Sequence, residues 1–474
     1  MARIAFIQFT MIDNLGPMIL TAELKKHGHE AEIVIAPEER GYQRRLRANP
    51  PDILAFSCTT GAHLIALKEI ARLKPAFPNA IIVMGGPHPT YFPEVIEEPG
   101  VDVICRGDGE EAMVDLACAV DSGSDYTHIE NLWVKRDGEV FENPLRPLNQ
   151  DLDTIAFPDR EFYRRYRSVR IYPSKLFIAS RGCPFECSFC FNHSLKKMYE
   201  GKGRYVRHRS PENVVEEVAK VKSEWKGLKT PYFADDSFLL DRKWVAEFAD
   251  IYRKRIDMPF LCQIRADQVD EEIVRIIKSA GCHLVSLGVE SGNDFLREKV
   301  LGKTVTREQI KRAAEILKKH GILFRTYNML CLPGETLDMA LETVSINVKI
   351  GTDCPWASIV QPYPRTQLGE YVVEHGLLDP DFDLTKMSAS FFKGSLFDLP
   401  EKKEIENLQK LFYAAVKWRI PPRLLRCIVK LPHNPLFEAI FGITYLFNTA
   451  RAYRMPLWFT AWLAFEMRKL YTEN

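Results

Sequence analysis

Residues 180–191 read SRGCPFECSFCF. Cys183, Cys187 and Cys190 fall within eight residues, and Gly182 and Pro184 mark that stretch as a loop. Just before it, KLFIAS reads as a short apolar strand. Strand-like segments recur downstream at PYFADDS, FLCQIRAD, LVSLGVES, LFRTYNMLCLPGE and WASIVQPYP. Helical patterns such as SPENVVEEVAKVKSEW and TREQIKRAAEILKKHG separate them. In the first of these, Ser210 is placed to cap the helix and Pro211 to occupy its first turn. Strands alternating with helices predict a parallel sheet, and six such units predict a partial (β/α)6 barrel. Barrels carry their chemistry at the C-terminal ends of their strands. The cysteine loop follows the first strand, so it is expected at that end.

The first ~125 residues alternate in the same way. RIAFIQF, AEIVIA, DILAFSC, AIIVMGG and VDVICRGDGE read as strands, with helical patterns between them. A doubly wound, Rossmann-like sheet is expected, with its ligand at the carboxyl ends of the strands. Those ends read FTMIDNLG, SCTTG, MGGPHPT and RGDGEE. Gly85 and Gly86 would let the backbone approach a large polar ligand closely. Residues 126–172 read as a linker, with a hairpin turning on Asp137 and Gly138. Past ~375 the pattern becomes helical, and the apolar runs LFEAIFGITYLF and PLWFTAWLAFEM are shorter than the ~20 residues of a membrane span. They read as core helices, or as helices lying at a membrane surface with Arg451, Arg454 and tryptophans at the boundary. The expected domains are thus 1–125, a linker over 126–172, the barrel over 173–372 and a helical region over 373–474.

The bulk composition narrows the function. The chain has 474 residues, 46% of them hydrophobic and 27% charged, so core formation is assured. A net charge of +1 provides no global attraction to nucleic acid, and no nucleic-acid motif stands out. MARIAFIQFT lacks the features of a secretory signal, and a cytoplasmic protein is expected. Eleven cysteines in such a chain are not a disulfide framework. Cys58, Cys105, Cys118, Cys262, Cys331 and Cys427 read as small buried hydrophobes. The trio has two chemical readings. With His193 it forms Cys-x3-Cys-x2-Cys-x2-His, a closed zinc site. Alone it can hold an iron–sulfur cluster with one iron left open for catalysis. Cys262, Cys282, Cys331 and Cys354 are too dispersed to form a second cluster, so one cluster per chain is expected.

C-x3-C-x2-C after the first strand of an α/β barrel resembles the radical S-adenosylmethionine (SAM) superfamily. That resemblance implies a [4Fe-4S] cluster on Cys183, Cys187 and Cys190. Its open iron would bind SAM, which is then cleaved reductively to a radical. It also implies SAM contacts from Phe189, from Asp235 or Asp236 in FADDSF, from Glu290 and Ser291, from Arg325 for a carboxylate, and from Leu332 near adenine. Arg265 reads as polar scaffold. A doubly wound domain ahead of the barrel resembles the cobalamin-binding, methylase/cyclase-like branch. The matching loops imply cobalamin contacts from Asn14, Leu15, Gly16, Ser57, Thr59, Thr60, Gly85, Gly86, His88, Thr90, Gly107 and Glu110. The D-x-H-x-x-G motif that would supply a cobalt ligand is absent, and His63 and His88 stand outside that pattern.

The expected function is cobalamin-dependent methylation of an unactivated carbon. The substrate is expected to be hydrophobic, such as a lipid, an isoprenoid or a tetrapyrrole, because the C-terminal helices carry Trp418, Trp458 and Trp462. A flavodoxin- or ferredoxin-type donor is expected to supply the electron. A radical cyclase, ring-contracting or oxidising enzyme is the alternative, and a zinc-stapled binding protein is the non-catalytic one. RYVRHRS, residues 204–210, reads either as contact to an anionic group or as a solvated turn.

Overall fold

The computed structural model describes residues 1–378, 382, 384–387, 390–392 and 394–472, with 466–472 as backbone alone. The N-terminal strands are β1 Arg3–Gln8, β2 Glu30–Ile35, β3 Ile53–Ser57, β4 Ile81–Gly85, β5 Val103–Cys105, β6 Leu132–Arg136 and β7 Glu139–Glu142. They form one sheet in the order β2-β1-β3-β4-β5-β6-β7, parallel up to β5. The near-continuous apolar runs of β1 and β3 suit strands covered on both faces. The hairpin β6–β7 was expected in the linker but extends this sheet antiparallel to β5. Its turn has positive φ at both Asp137 and Gly138, as a tight two-residue hairpin turn requires.

The second unit begins with β8, Ser174–Phe177. A two-residue pair follows, β9 Ser180–Arg181 with β10 Arg207–His208. The remaining strands are β11 Thr230–Phe233, β12 Phe260–Ile264, β13 Cys282–Glu290, β14 Leu323–Leu330 and β15 Cys354–Ile359. The sheet order β15-β14-β13-β12-β11-β8 is wholly parallel and makes the expected six-stranded half-barrel. Helix Pro211–Glu224 starts as read, with the Ser210 hydroxyl accepting from the Asn213 amide.

A buried ion network joins the two units. Arg160, in the intervening segment, is 3.2 Å from Asp13 of the first sheet's loops and 3.0 Å from Glu217 of a barrel helix. Removing one partner of such a network costs about 3–5 kcal/mol, because it leaves a buried charge uncompensated. The C-terminal helices are Lys402–Lys417, Pro422–Val429, Pro435–Tyr453 and Leu457–Thr472. The first packs Leu408, Leu411 and Phe412 into the barrel's outer core, and Asn448 of the third donates to the Pro355 carbonyl of β15. Among the described residues no helix is long and apolar enough to cross a membrane. Two expectations fail on burial: Cys118 and Cys427 are exposed, because each lies on the outer face of its helix.

Candidate active site at the mouth of the half-barrel

The cysteine loop is built by constraints on both sides. Gly182 has φ +86°, and a side chain there would collide with the Tyr205 carbonyl. Cys190 closes the loop as the cap of helix Phe191–Met198, its sulfur accepting from the Asn192 amide at 3.5 Å. Ser188 anchors the middle, with its amide on the Leu301 carbonyl and its hydroxyl on that of Val300. All three thiols are free and half-buried. Burial, with Asp236 and the neighbouring thiols adding negative charge, pushes the Cys183 thiol up to about 11 and raises that of Cys190. A metal centre would relieve that repulsion, and this donor set fits an iron–sulfur cluster. Among the described residues no three His, Cys, Asp or Glu side chains already stand closed to metal-ligand geometry.

Arg265 ends β12 with its guanidinium 3.7 Å from the Cys187 sulfur and stacked on Phe185 at 3.5 Å. It reads as scaffold in the sequence, yet its guanidinium lies against a thiol. Phe189 is half-buried against the outer core. Asp235 and Asp236 divide their tasks. Asp235 accepts from the Ala179 and Ser180 amides and the Ser180 hydroxyl, so that carboxylate oxygen braces β8 against β11. Asp236 stands in the open mouth beside the thiols, hydrogen-bonded to Asn192. Glu290 has φ +60°, a strained conformation for this residue type, and pairs with Lys303 at 2.7 Å. Lys303 escaped the sequence reading, because its partner lies beyond an intervening π-helical turn, Leu296–Val300.

Three other residues expected to contact SAM have these partners in the structure. Ser291 is fully buried and accepts from the Asn293 amide, so it serves the local turn. The Leu332 side chain is inside the outer core and its amide donates to Glu335. Arg325, expected at a carboxylate beside the cluster, lies deep in β14, bonded to Tyr327 and Tyr453. The basic segment around Arg204 also resolves: Arg207 pairs with Asp108, and Arg209 with Glu217.

In the first unit a cavity of about 220 Å³ opens at the strand ends. Gly16, Ser57, Gly85, Gly86, Gly107 and Glu110 all line it. Gly86 has φ +89°, and a Cβ there would lie 3.0 Å from the Ser57 hydroxyl and 3.1 Å from the Cys58 backbone. This glycine-lined cradle, with Phe6, Ile19 and Met113 as apolar walls, fits a flat, bulky group such as part of cobalamin. Asn14, Leu15, Thr59, Thr60, His88 and Thr90 do not line it. Leu15 packs on the core, and the Asn14 amide donates to Tyr163. Thr59 is exposed at the rim. Thr90 ties Gly86 to Gly107, and Thr60 bonds His88, whose ring stacks on His63 at 3.7 Å.

The cysteine loop itself takes part in the contact with this first unit. Arg181, two residues before Cys183, reaches Glu110 at 2.5 Å and Asp108 at 3.2 Å. Phe191, directly after Cys190, stacks on Tyr91 at 4.1 Å. The thiol loop and the glycine cradle therefore share one interface.

Such a loop on such a half-barrel defines a SAM-cleaving iron–sulfur enzyme, and comparison with known proteins agrees. Residues 177–345 match the radical SAM superfamily and residues 10–117 the B12 binding domain. An uncharacterised methyltransferase of Pyrococcus horikoshii is 32% identical over 333 residues, covering 69% of this chain and 71% of the relative. An anaerobic magnesium-protoporphyrin IX monomethyl ester cyclase of Rubrivivax gelatinosus is 31% identical, covering 67% of this chain but 58% of the relative. The structure of TsrM, a radical SAM methyltransferase from Kitasatospora setae, superposes over the whole of both chains with a TM-score of 0.69 at 17% identity. The chain belongs to the cobalamin-binding branch of the radical SAM superfamily. Its cofactors are a [4Fe-4S] cluster, SAM and cobalamin. The zinc-stapled alternative falls with this membership.

Proposed function

We propose that this enzyme methylates an unactivated carbon of a substrate held in the half-barrel. The observation that carries the reading is the shared interface: Arg181 and Phe191, flanking the thiols, both touch the glycine-lined unit. When bound, the cluster supplies the electron that cleaves SAM, and cobalamin supplies a methyl carrier. The chain's own residues then have distinct tasks. Cys183, Cys187 and Cys190 hold the cluster, and Asp236 accepts from the methionyl ammonium in the mouth. Lys303 offers a cation to the methionyl carboxylate, and Glu290 fixes the Lys303 ammonium in place. Gly16, Ser57, Gly85, Gly86, Gly107 and Glu110 cradle cobalamin. An external one-electron donor of flavodoxin or ferredoxin type completes the cycle.

The test is anaerobic purification with hydroxocobalamin, followed by reaction with SAM labelled in its methyl group. Both iron and cobalt retained, with S-adenosylhomocysteine and a labelled product formed, is the expected result. Iron without cobalt would end the methyl-transfer reading. The 31% likeness to the Rubrivivax cyclase supports one second reading, oxidative ring closure without methyl transfer. An unlabelled but oxidised product would select it.

We also infer that the substrate has an apolar body and is met at a membrane surface. Trp418, Leu424, Leu431 and Leu436 are more than half exposed on the C-terminal helices, and Arg419, Arg423 and Lys430 stand among them. Apolar side chains interspersed with cations suit an anionic bilayer surface. Flotation with phosphatidylglycerol vesicles is expected, and absence of binding at low salt would remove this part of the reading.

A further inference from the structure

The half-barrel has a floor as well as a mouth. Side chains along each strand alternate between its interior and its helical coat. Phe233, Cys262, Val289, Thr326 and Ala357, facing the coat, are buried. Ala234, Gln263, Gly288, Tyr327 and Trp356, facing inward, each keep some exposure. The inside of the half-barrel is therefore partly open to solvent in the layers nearest the cysteine loop, while Tyr232, Leu261 and Leu284, which face inward one layer deeper, are packed shut with Tyr453. Arg325 stands at the base of this open chamber. It pairs in register with Ser286, four residues before Glu290, which sets it about 13 Å below the mouth.

Arg325 is only 4% exposed. Its polar partners are two phenols, Tyr453 at 3.2 Å and Tyr327 at 3.4 Å, and its Nε is buried with no partner. The rings of Tyr453, Trp356 and Tyr327 surround the guanidinium at 4.9, 5.9 and 6.0 Å. Among the described residues no carboxylate stands within ion-pair distance of it, and Tyr453 and Tyr327 are the groups that act on its charge. The other buried arginines behave differently. Arg160, Arg207, Arg209, Arg265 and Arg297 each pair with an acid. A buried cation without an anion is unfavourable on its own, so its retention needs another source of negative charge.

We propose that Arg325 receives the anionic group of the substrate, a carboxylate or a phosphoryl or phosphonyl group, at the floor of the chamber. The guanidinium fork suits the bidentate geometry of either anion, and the Tyr453 and Tyr327 hydroxyls can complete the shell. Trp356 and the tyrosine rings wall the part of the substrate that carries the charge. The reacting carbon then lies toward the cysteine loop, roughly 10 Å from the anionic end. Because Tyr453 belongs to helix Pro435–Tyr453, the C-terminal region supplies part of this subsite. The proposal rests on reading the half-barrel as the substrate chamber, but not on methyl transfer.

The experiment is calorimetric titration of the anaerobically reconstituted holoenzyme with benzoate, phenylphosphonate and inorganic phosphate. At least one probe is expected to bind, and its preference separates carboxylate from phosphoryl recognition. Arg325→Gln should weaken it at least roughly tenfold, with SAM affinity and cobalt content unchanged. Tyr453→Phe should weaken it by a smaller factor, which keeps the proposal testable if the arginine variant does not fold. Ligand-free Arg325→Met should melt no lower than wild type, because it removes an uncompensated charge. No binding of any probe to wild type, or equal binding by Arg325→Gln, would overturn the proposal. So would a large drop in melting temperature for Arg325→Met together with tyrosinate absorbance at neutral pH, which would make Tyr327 the counter-ion. Loss of cobalt without loss of probe binding would instead count against the methyltransferase reading alone.

Discussion

Lys303 reaches across Gly288 to place its ammonium 2.7 Å from Glu290. Both charges are buried, and the pair lies directly over the glycine, so that any Cβ at position 288 would collide with both partners. The positive φ of Glu290 is what turns its carboxylate back over the strand.

Gly288→Ala is therefore expected to displace the pair. SAM affinity should fall at least roughly tenfold, with a stability loss of about 1–3 kcal/mol from overpacking. Lys303→Met should cost more, about 3–5 kcal/mol, because it strands Glu290. Adding Glu290→Gln to it should recover part of the loss. Calorimetry and urea melts check all three, and an unchanged SAM affinity in Gly288→Ala would mean that the pair takes no part in binding SAM.

The guanidinium of Arg265 lies against Cys187, where it would stabilise the more negative, reduced state of a bound cluster. Arg265→Gln should load normal iron yet show a midpoint potential lowered by about 60 mV, the one-electron equivalent of a tenfold change. Arg265→Lys should lie in between. Anaerobic redox titration followed by electron paramagnetic resonance reads the shift.

Gly86→Ala should separate the two metal sites. The backbone at this position, φ +89° and ψ −167°, belongs to a region reserved for glycine and costs a side-chain-bearing residue about 1–3 kcal/mol, and the new methyl would press on Ser57 and Cys58. Hydroxocobalamin uptake should drop while iron content stays at the wild-type level. Full cobalt loading would remove this cradle from the cobalamin site.

The stacked histidines make the first unit acid-sensitive. Burial lowers His63 from 6.5 to about 4 and His88, with His63 beside it, to about 3. A histidine kept neutral by the fold contributes stability above its unfolded pKa and loses it as protonation is forced on it. The melting temperature should thus fall as pH drops from 6.5 toward 4. His88→Phe, which keeps a ring against Phe92, should flatten that fall while giving up the Thr60 contact, about 1 kcal/mol at neutral pH. An equally steep fall in the variant would show that other groups govern the acid limb.

Legibility in the sequence followed the range of the interactions. The thiol loop, its preceding strand and the six-strand alternation are local patterns, and they were readable. The hairpin β6–β7 is legible with its turn at Asp137 and Gly138, but its place in the first sheet is not, because its pairing with β5 is non-local. Neighbouring positions at a strand end face opposite ways, so Asp235 and Asp236 could be named together but not told apart. The period of two marks Arg325 as inward, but its depth depends on register with Ser286, which no single strand encodes. Thr60, His88 and Thr90 are expected as cobalamin contacts only through the resemblance of their loops to the cobalamin-binding branch. In the structure Thr60 bonds His88 and Thr90 bonds Gly86, contacts between loops that no single loop encodes.

The order in which the chain is made adds a consequence for Tyr453. The last barrel strand, β15, ends at Ile359, and Tyr453 follows about ninety residues later. At ordinary translation rates this leaves roughly 5–20 seconds in which a nascent half-barrel has all its strands but no floor. During that interval Arg325 faces an open end, and the seam between β8 and β15 lacks the Tyr172–Tyr453 and Tyr172–Phe459 ring contacts that later bridge it. Closure of the chamber from below is thus a late event in the protein's own assembly.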